Sequence, residues 1–109
     1  MRRFELWLAN LNSSKGVTVG KVRPVVIVQS DLLNEVHDSI MVCPLTTNVN
    51  RESHILRVYL GSKHLEADSD ILVDQITTIS RRRLIKKLGK LSNAQALLLS
   101  QNLKILLDL

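Results

Sequence analysis

Read for its apolar and polar positions, the chain opens with Phe4 to Leu11, where aliphatic and aromatic side chains mix with Glu5 and Asn10 as in a strand anchored by Trp7. Asn12 to Val22 is rich in Asn, Ser, Lys, Gly and Thr, with glycines at 16 and 20, and predicts a long loop. Loops of that length inside small domains are often functional. The next run, Val25-Val26-Ile27-Val28, is apolar and β-branched at every position, which fits a strand covered on both faces. Pro24 lacks an N–H and biases Arg23 toward extended backbone, so Arg23-Pro24 belongs where the loop enters that strand.

Gln29 to Asn34 reads as a short helical turn capped by Ser30 or Asp31. Ser39 to Leu45 predicts a further strand, ended by Pro44 and the polar cluster Thr46, Thr47, Asn48 and Asn50. Ile55 to Leu60 alternates and is followed by a Gly61-Ser62 turn, and Ile71 to Val73 adds a short apolar strand. Near the end, Ser92 is placed to cap a helix in which Ala96, Leu99, Leu103 and Leu106 recur at three- and four-residue spacing. Leu98, Ile105 and Leu107 widen its apolar face, either for dense packing on its own sheet or for a partner subunit. Many short strands followed by a terminal helix imply a mainly β fold, a small bent sheet or partly open barrel, rather than βαβ units.

A chain of 109 residues is the size of one domain, 1–109, and its hydrophobic content of 45% excludes a disordered polar segment. No apolar stretch approaches the roughly 20 residues that span a bilayer, and Glu5 interrupts the apolar run nearest the N-terminus, so a cytoplasmic location without membrane association is expected. Cys43 is the single cysteine, which removes any intrachain disulfide and reads as a buried small hydrophobe. A metal site would have to be built from the scattered His37, His54 and His64, which read as solvated loop residues; neither metal nor cofactor is expected. Fifteen Lys and Arg against ten Asp and Glu give a net charge of +5, suited to phosphate backbones or acidic protein segments if it is more than a solubility device. Arg81, Arg82, Arg83, Lys86, Lys87 and Lys90 concentrate six of those charges in ten residues, as a solvated face or as a binding surface.

Several segments in order resemble the MazF/PemK family, typified also by Kid. They are Glu5-Leu6-Trp7-Leu8, Gly16 with Arg23-Pro24-Val25-Val26 beginning seven residues later, Pro44-Leu45-Thr46-Thr47, Asp74-Gln75-Ile76-Thr77-Thr78-Ile79, and Arg81-Arg82-Arg83-Leu84 with Leu88-Gly89-Lys90-Leu91. The resemblance runs along nearly the whole chain. It implies an SH3-like barrel with a C-terminal helix, working as a homodimer that cleaves single-stranded RNA without a metal by attack of the ribose 2′-hydroxyl on the neighbouring phosphate. It further implies a cognate antitoxin whose acidic, flexible tail lies across the RNA groove.

Such a reaction needs a proton acceptor, a proton donor for the leaving oxygen, and donors for charge on the phosphorus oxygens. The resemblance assigns Arg23 and Thr46 as catalytic, and the planar guanidinium of Arg23 is suited to gripping two phosphate oxygens. Arg23 could equally bond a carboxylate or the dimer edge, and Thr46 could simply form a turn. Asp74 matches the acidic residue given the base role in the Kid branch, or it makes turn hydrogen bonds. Lys15 and Lys21 flank the first loop as RNA contacts, with Thr47 and Gln75 beside the catalytic positions. One Trp, one Tyr and one Phe are too few for a sheet that reads bases by stacking.

Two alternatives stand beside the ribonuclease: a gyrase-binding toxin of CcdB type, and a catalytically degenerate paralogue that still binds antitoxin. The chain departs from many relatives in the first loop, where Val17, Thr18 and Val19 replace a Glu-Gln pair and, in the Kid branch, a preceding His; Leu72 stands where that branch has an arginine. The expectation is slower or differently selective cleavage than in Glu-bearing relatives. Thr18→Glu should then change the rate or pattern of cleavage of a long RNA, and an identical digest would contradict the idea.

Overall fold

The computed structural model describes residues 1–11 and 21–109; the long loop read over Asn12 to Val22 falls mostly outside them. In chain order the elements are β1 (Glu5–Asn10), β2 (Val22–Ile27), a short helix α1 (Asp31–Asn34), β3 (Ser39–Thr46), β4 (Arg57–Gly61), β5 (Ser69–Leu72), β6 (Thr77–Ser80), β7 (Leu84–Lys90) and α2 (Asn93–Leu107). Single 3-10 turns, Val73–Gln75 and Arg81–Arg83, lead into β6 and β7. The strands form one antiparallel sheet in the order β4-β5-β3-β2-β1-β7, with β6 also paired to β3.

Both faces of the sheet are covered at its centre. Val26, Val28, Cys43 and Leu45 pack with Val58, Ile71 and the α2 residues Leu99 and Leu103 on one face. On the other face Val25, Ile27, Ile40 and Val42 pack with Ala9, Trp7 and Leu84. The apolar run in β2 follows from this: Val25, Val26 and Ile27 are each 0% exposed, so strand alternation sends neighbouring side chains into different cores.

Ser30 caps α1 by accepting from Leu32 N–H at 3.2 Å. Ser92 and Gln95 form a reciprocal capping box at the start of α2, the Ser92 hydroxyl accepting from Gln95 N–H at 3.1 Å and the Gln95 side-chain Oε1 accepting from Ser92 N–H at 2.9 Å. Buried Asn102 ties α2 to the entry of β4, its side-chain oxygen accepting from Leu56 N–H at 2.6 Å. Leu97, Leu98, Ile105 and Leu107 remain exposed along the helix.

Several boundaries differ from the sequence reading. β3 continues through Pro44 to Thr46, because it pairs with β6 up to Val42 and with β5 from Leu45. Pro44 occupies the gap between those pairings, a place compatible with its missing donor. Ile55 is exposed ahead of β4, and Val73 begins a turn rather than ending a strand. β6 and β7 were not foreseen from the pattern. Their residues are largely exposed and β7 is rich in lysine, as an edge strand that resists further pairing tends to be, so alternation leaves little trace.

Glu5 locks the start of β1 to the far edge of the sheet. Its carboxylate accepts from Trp7 Nε1 and the Arg2 N–H, both at 2.9 Å, and pairs with Lys87 Nζ at 2.9 Å. Burial alone would raise its pKa, but these donors, Lys87 foremost, outweigh it and bring the value down from 4.5 to about 2. A depressed folded pKa stabilises above the unfolded value and loses that contribution as pH falls through the folded one. The stability advantage of the parent over Glu5→Gln should therefore be largest above pH 4.5 and shrink toward about pH 2, measured by urea unfolding; a pH-independent difference would contradict the pairing.

Candidate functional site

The register of β2 against β3 determines what meets at one end of the sheet. Val25 lies opposite Pro44, Val26 opposite Cys43 and Ile27 opposite Val42. Arg23 lies two residues beyond the last paired position on β2 and Thr46 two residues beyond it on β3, so the direction of the register carries both toward the same end of the sheet. Alternation puts both on the face that carries Val25 and Val42. On the other side of β2, Arg23 pairs with Ala9, a residue too small to crowd a guanidinium. Arg23 is half-buried, with rigid strand beneath it.

Thr46 begins a folded turn. Its Oγ1 accepts from Asn48 N–H at 3.1 Å, leaving the hydroxyl proton to be donated elsewhere. Opposite Thr46 in β5 stands Asp70, and opposite Asp70 in β4 stands Tyr59. Asp70 is 0% exposed. Its Oδ2 accepts from Asn50 N–H at 2.9 Å and from Arg57 Nη1 at 3.0 Å, while Arg57 also donates to the Asn48 carbonyl at 2.8 Å. Arg51 completes the cover by lying 3.9 Å from the centre of the Tyr59 ring. Sequence reasoning missed Asp70 and Arg57. The only available signal was an acid inside a short apolar strand with an arginine thirteen residues earlier, too weak to distinguish from a solvated edge.

Asp74 lies in the 3-10 turn Val73–Gln75, between β5 and β6. The 3-10 turn that carries it passes Cys43, whose Sγ is 3.8 Å from the Val73 carbonyl. Cys43 is three residues from Thr46, roughly 10 Å of strand. Asp74 and Gln75 are exposed there, as is Thr47 beside Thr46. Burial, aided by the nearby Asp74 charge, pushes the Cys43 thiol up to about 12, which keeps it protonated and inert at neutral pH.

Thr47 and Pro24, on the opposite face from Arg23 and Thr46, line a groove of about 640 Å³ with Leu8, Val22, His64 and Lys86. Lys21 is exposed at the loop's return, and Lys15 lies outside the described residues. His37, His54 and His64 are all exposed. In the basic stretch Arg82, Lys86, Lys87 and Lys90 are exposed, although Lys87 is engaged by Glu5 and Arg83 donates to the Asn10 carbonyl at 3.3 Å. Among the described residues no helix is long and apolar enough to cross a membrane, and no three His, Cys, Asp or Glu side chains group as metal ligands.

Residues 2–107 match the model of the PemK-like, MazF-like toxins of type II toxin–antitoxin systems. The chain is 35% identical over 111 aligned positions to Endoribonuclease MazF of Staphylococcus epidermidis, covering 100% of this chain and 92% of that protein. Among solved structures it resembles Mycobacterium tuberculosis toxin MazF-mt6, with a TM-score of 0.80 at 24% identity over 96% of this chain and 97% of that one. It also resembles a mycobacterial endoribonuclease in complex with its cognate antitoxin, with a TM-score of 0.80 at 23% identity over 100% and 96% of the two chains. These structural likenesses bear on the fold, a curled, mainly β sheet with a C-terminal helix.

Proposed function

Because the chain belongs to the PemK-like, MazF-like toxin family of type II toxin–antitoxin systems, we propose that it is an endoribonuclease toxin that cleaves single-stranded RNA by internal transesterification. The observation that carries this reading is the 35% identity, across the whole chain, to a protein named Endoribonuclease MazF. The β2–β3 register, which runs toward Arg23 on one strand and Thr46 on the other, supports it chemically. In the proposed reaction the ribose 2′-oxygen loses its proton and bonds to phosphorus. The bond to the leaving 5′-oxygen breaks, and that oxygen is protonated. The products are a 2′,3′-cyclic phosphate and a 5′-hydroxyl.

Arg23 holds the phosphorus oxygens, where its planar fork is most effective as negative charge accumulates. Thr46 donates its free hydroxyl proton to the same group. An arginine, with a pKa above about 12, is a poor base. Asp74, exposed on the turn before β6, is the carboxylate we assign to the 2′-proton; the assignment rests on the family resemblance, since its turn packs beside Cys43 rather than Thr46. Lys15, Lys21, Thr47 and Gln75 serve as RNA contacts in this reading.

A homodimer is proposed on the exposed apolar residues Leu97, Leu98, Ile105 and Leu107 of α2. The partner that neutralises the toxin is an antitoxin with an acidic tail, which the exposed basic residues of β7 suit electrostatically.

Purified protein incubated with a long RNA in EDTA should yield discrete fragments with cyclic phosphate ends. Arg23→Ala should lower the rate by roughly 100-fold or more, the scale of losing one preorganised oxyanion donor. Intact RNA together with inhibited gyrase would instead support the gyrase-binding reading, and inert dimers that still bind antitoxin would support the degenerate one.

A further inference from the structure

Asp70 is the most deeply buried charged residue among those described, and its side chain bonds to Asn50 in the turn after β3 and to Arg57 at the start of β4. Its side chain is 1% exposed and that of its partner Arg57 is 24% exposed. Oδ2 takes the Asn50 N–H and the Arg57 guanidinium, and Arg57 passes the constraint on to the Asn48 carbonyl. Asn48 N–H in turn holds the Thr46 hydroxyl oxygen. The other carboxylate oxygen, Oδ1, is buried with no hydrogen-bond partner.

This arrangement is a poor device for stability. A buried ion pair repays little of its desolvation cost, and an acceptor left unpaired adds to that cost, so well-packed apolar residues would serve the fold as well or better. What the pair does achieve is a unique geometry for residues 46–50. The turn also makes short, local bonds, from Asn48 N–H to Thr46 Oγ1, from Glu52 N–H to the Asn50 side chain and from Ser53 N–H to the Asn50 carbonyl.

We infer that Asp70 and Arg57 are positioning residues for the proposed cleavage, clamping the Thr46–Asn50 turn so that the Thr46 hydroxyl proton is aimed at the phosphate that Arg23 holds. The inference rests on the role given to Thr46 above. Neither residue needs to touch RNA. Asp70 is sealed beneath the turn, and Arg57 balances its charge so that an approaching phosphate meets no exposed anion. The effect belongs on the chemical step rather than on RNA binding, because misplacing a catalytic group by about 1 Å can cost up to about 100-fold in rate.

The test uses the full chain with Asp70→Ala, Asp70→Asn, Arg57→Ala, Arg57→Lys and Thr46→Ala, read by amide hydrogen exchange and by steady-state cleavage of a defined RNA. Asp70→Ala should speed exchange at Asn48 and Asn50 at least about ten-fold while the amides of α2 keep their protection, and should lower kcat about ten-fold with KM within about threefold. Asp70→Asn, which retains one acceptor without the charge, should fall between Asp70→Ala and the parent. Arg57→Lys should recover a substantial part of the rate lost in Arg57→Ala. Unchanged exchange at Asn48 and Asn50 overturns the clamp, as does an unchanged kcat in Asp70→Ala when Thr46→Ala is inactive. Should Thr46→Ala cleave as well as the parent, the role of Thr46 fails and the catalytic consequence of the clamp fails with it. The exchange data then still separate that failure from failure of the clamp itself.

Discussion

The pairing of β3 along both edges is the constraint from which the rest of the molecule follows. One edge runs against β2 in a single register, and the other is divided between β6 and β5. Because side chains alternate strictly along a strand, a slip of one residue between β2 and β3 would move Val25 and Ile27 out of one core and Val26 out of the other. Burial on both faces therefore fixes the register without help from turn geometry. Arg23 and Thr46 lie two residues beyond that paired stretch on their two strands, and neither contributes to either core.

The change of partner along β3 has a second consequence. It brings β5 beside the last residues of the strand and so sets Asp70 across from Thr46. The turn after β3 folds over this carboxylate, with Arg57, Asn50 and Asn48 arranged around it and Arg51 on Tyr59. In the proposed reaction a rigid sheet margin would supply the Arg23 guanidinium, and the clamped turn the Thr46 hydroxyl. Both are general requirements for stabilising charge that develops on a phosphoryl group, where preorganised donors are effective because they need not reorganise.

Much of the fold was legible because its signals are local. The β-branched run in β2 states its burial on two faces, and Ser92 with Gln95 marks the start of α2. Arg23 could be located by Pro24 alone. What could not be read were β6 and β7, whose edge positions and charged residues suppress alternation. Asp70 was also invisible, because its burial is created by a turn more than fifteen residues away in sequence that returns over it. Asp74, prominent within a family-like motif, sits in a 3-10 turn whose Val73 carbonyl lies 3.8 Å from Cys43 Sγ, a packing that no spacing rule anticipates.

The central claim is that Arg23 and Thr46 act on one phosphodiester as a unit. A double-mutant cycle on kcat with Arg23→Ala, Thr46→Ala and the combined variant measures this most directly, since residues serving one transition state are grossly non-additive. The combined variant should be no more than about threefold slower than the slower single variant. Rate losses that simply multiply would show that the two side chains act independently, and would contradict the central claim.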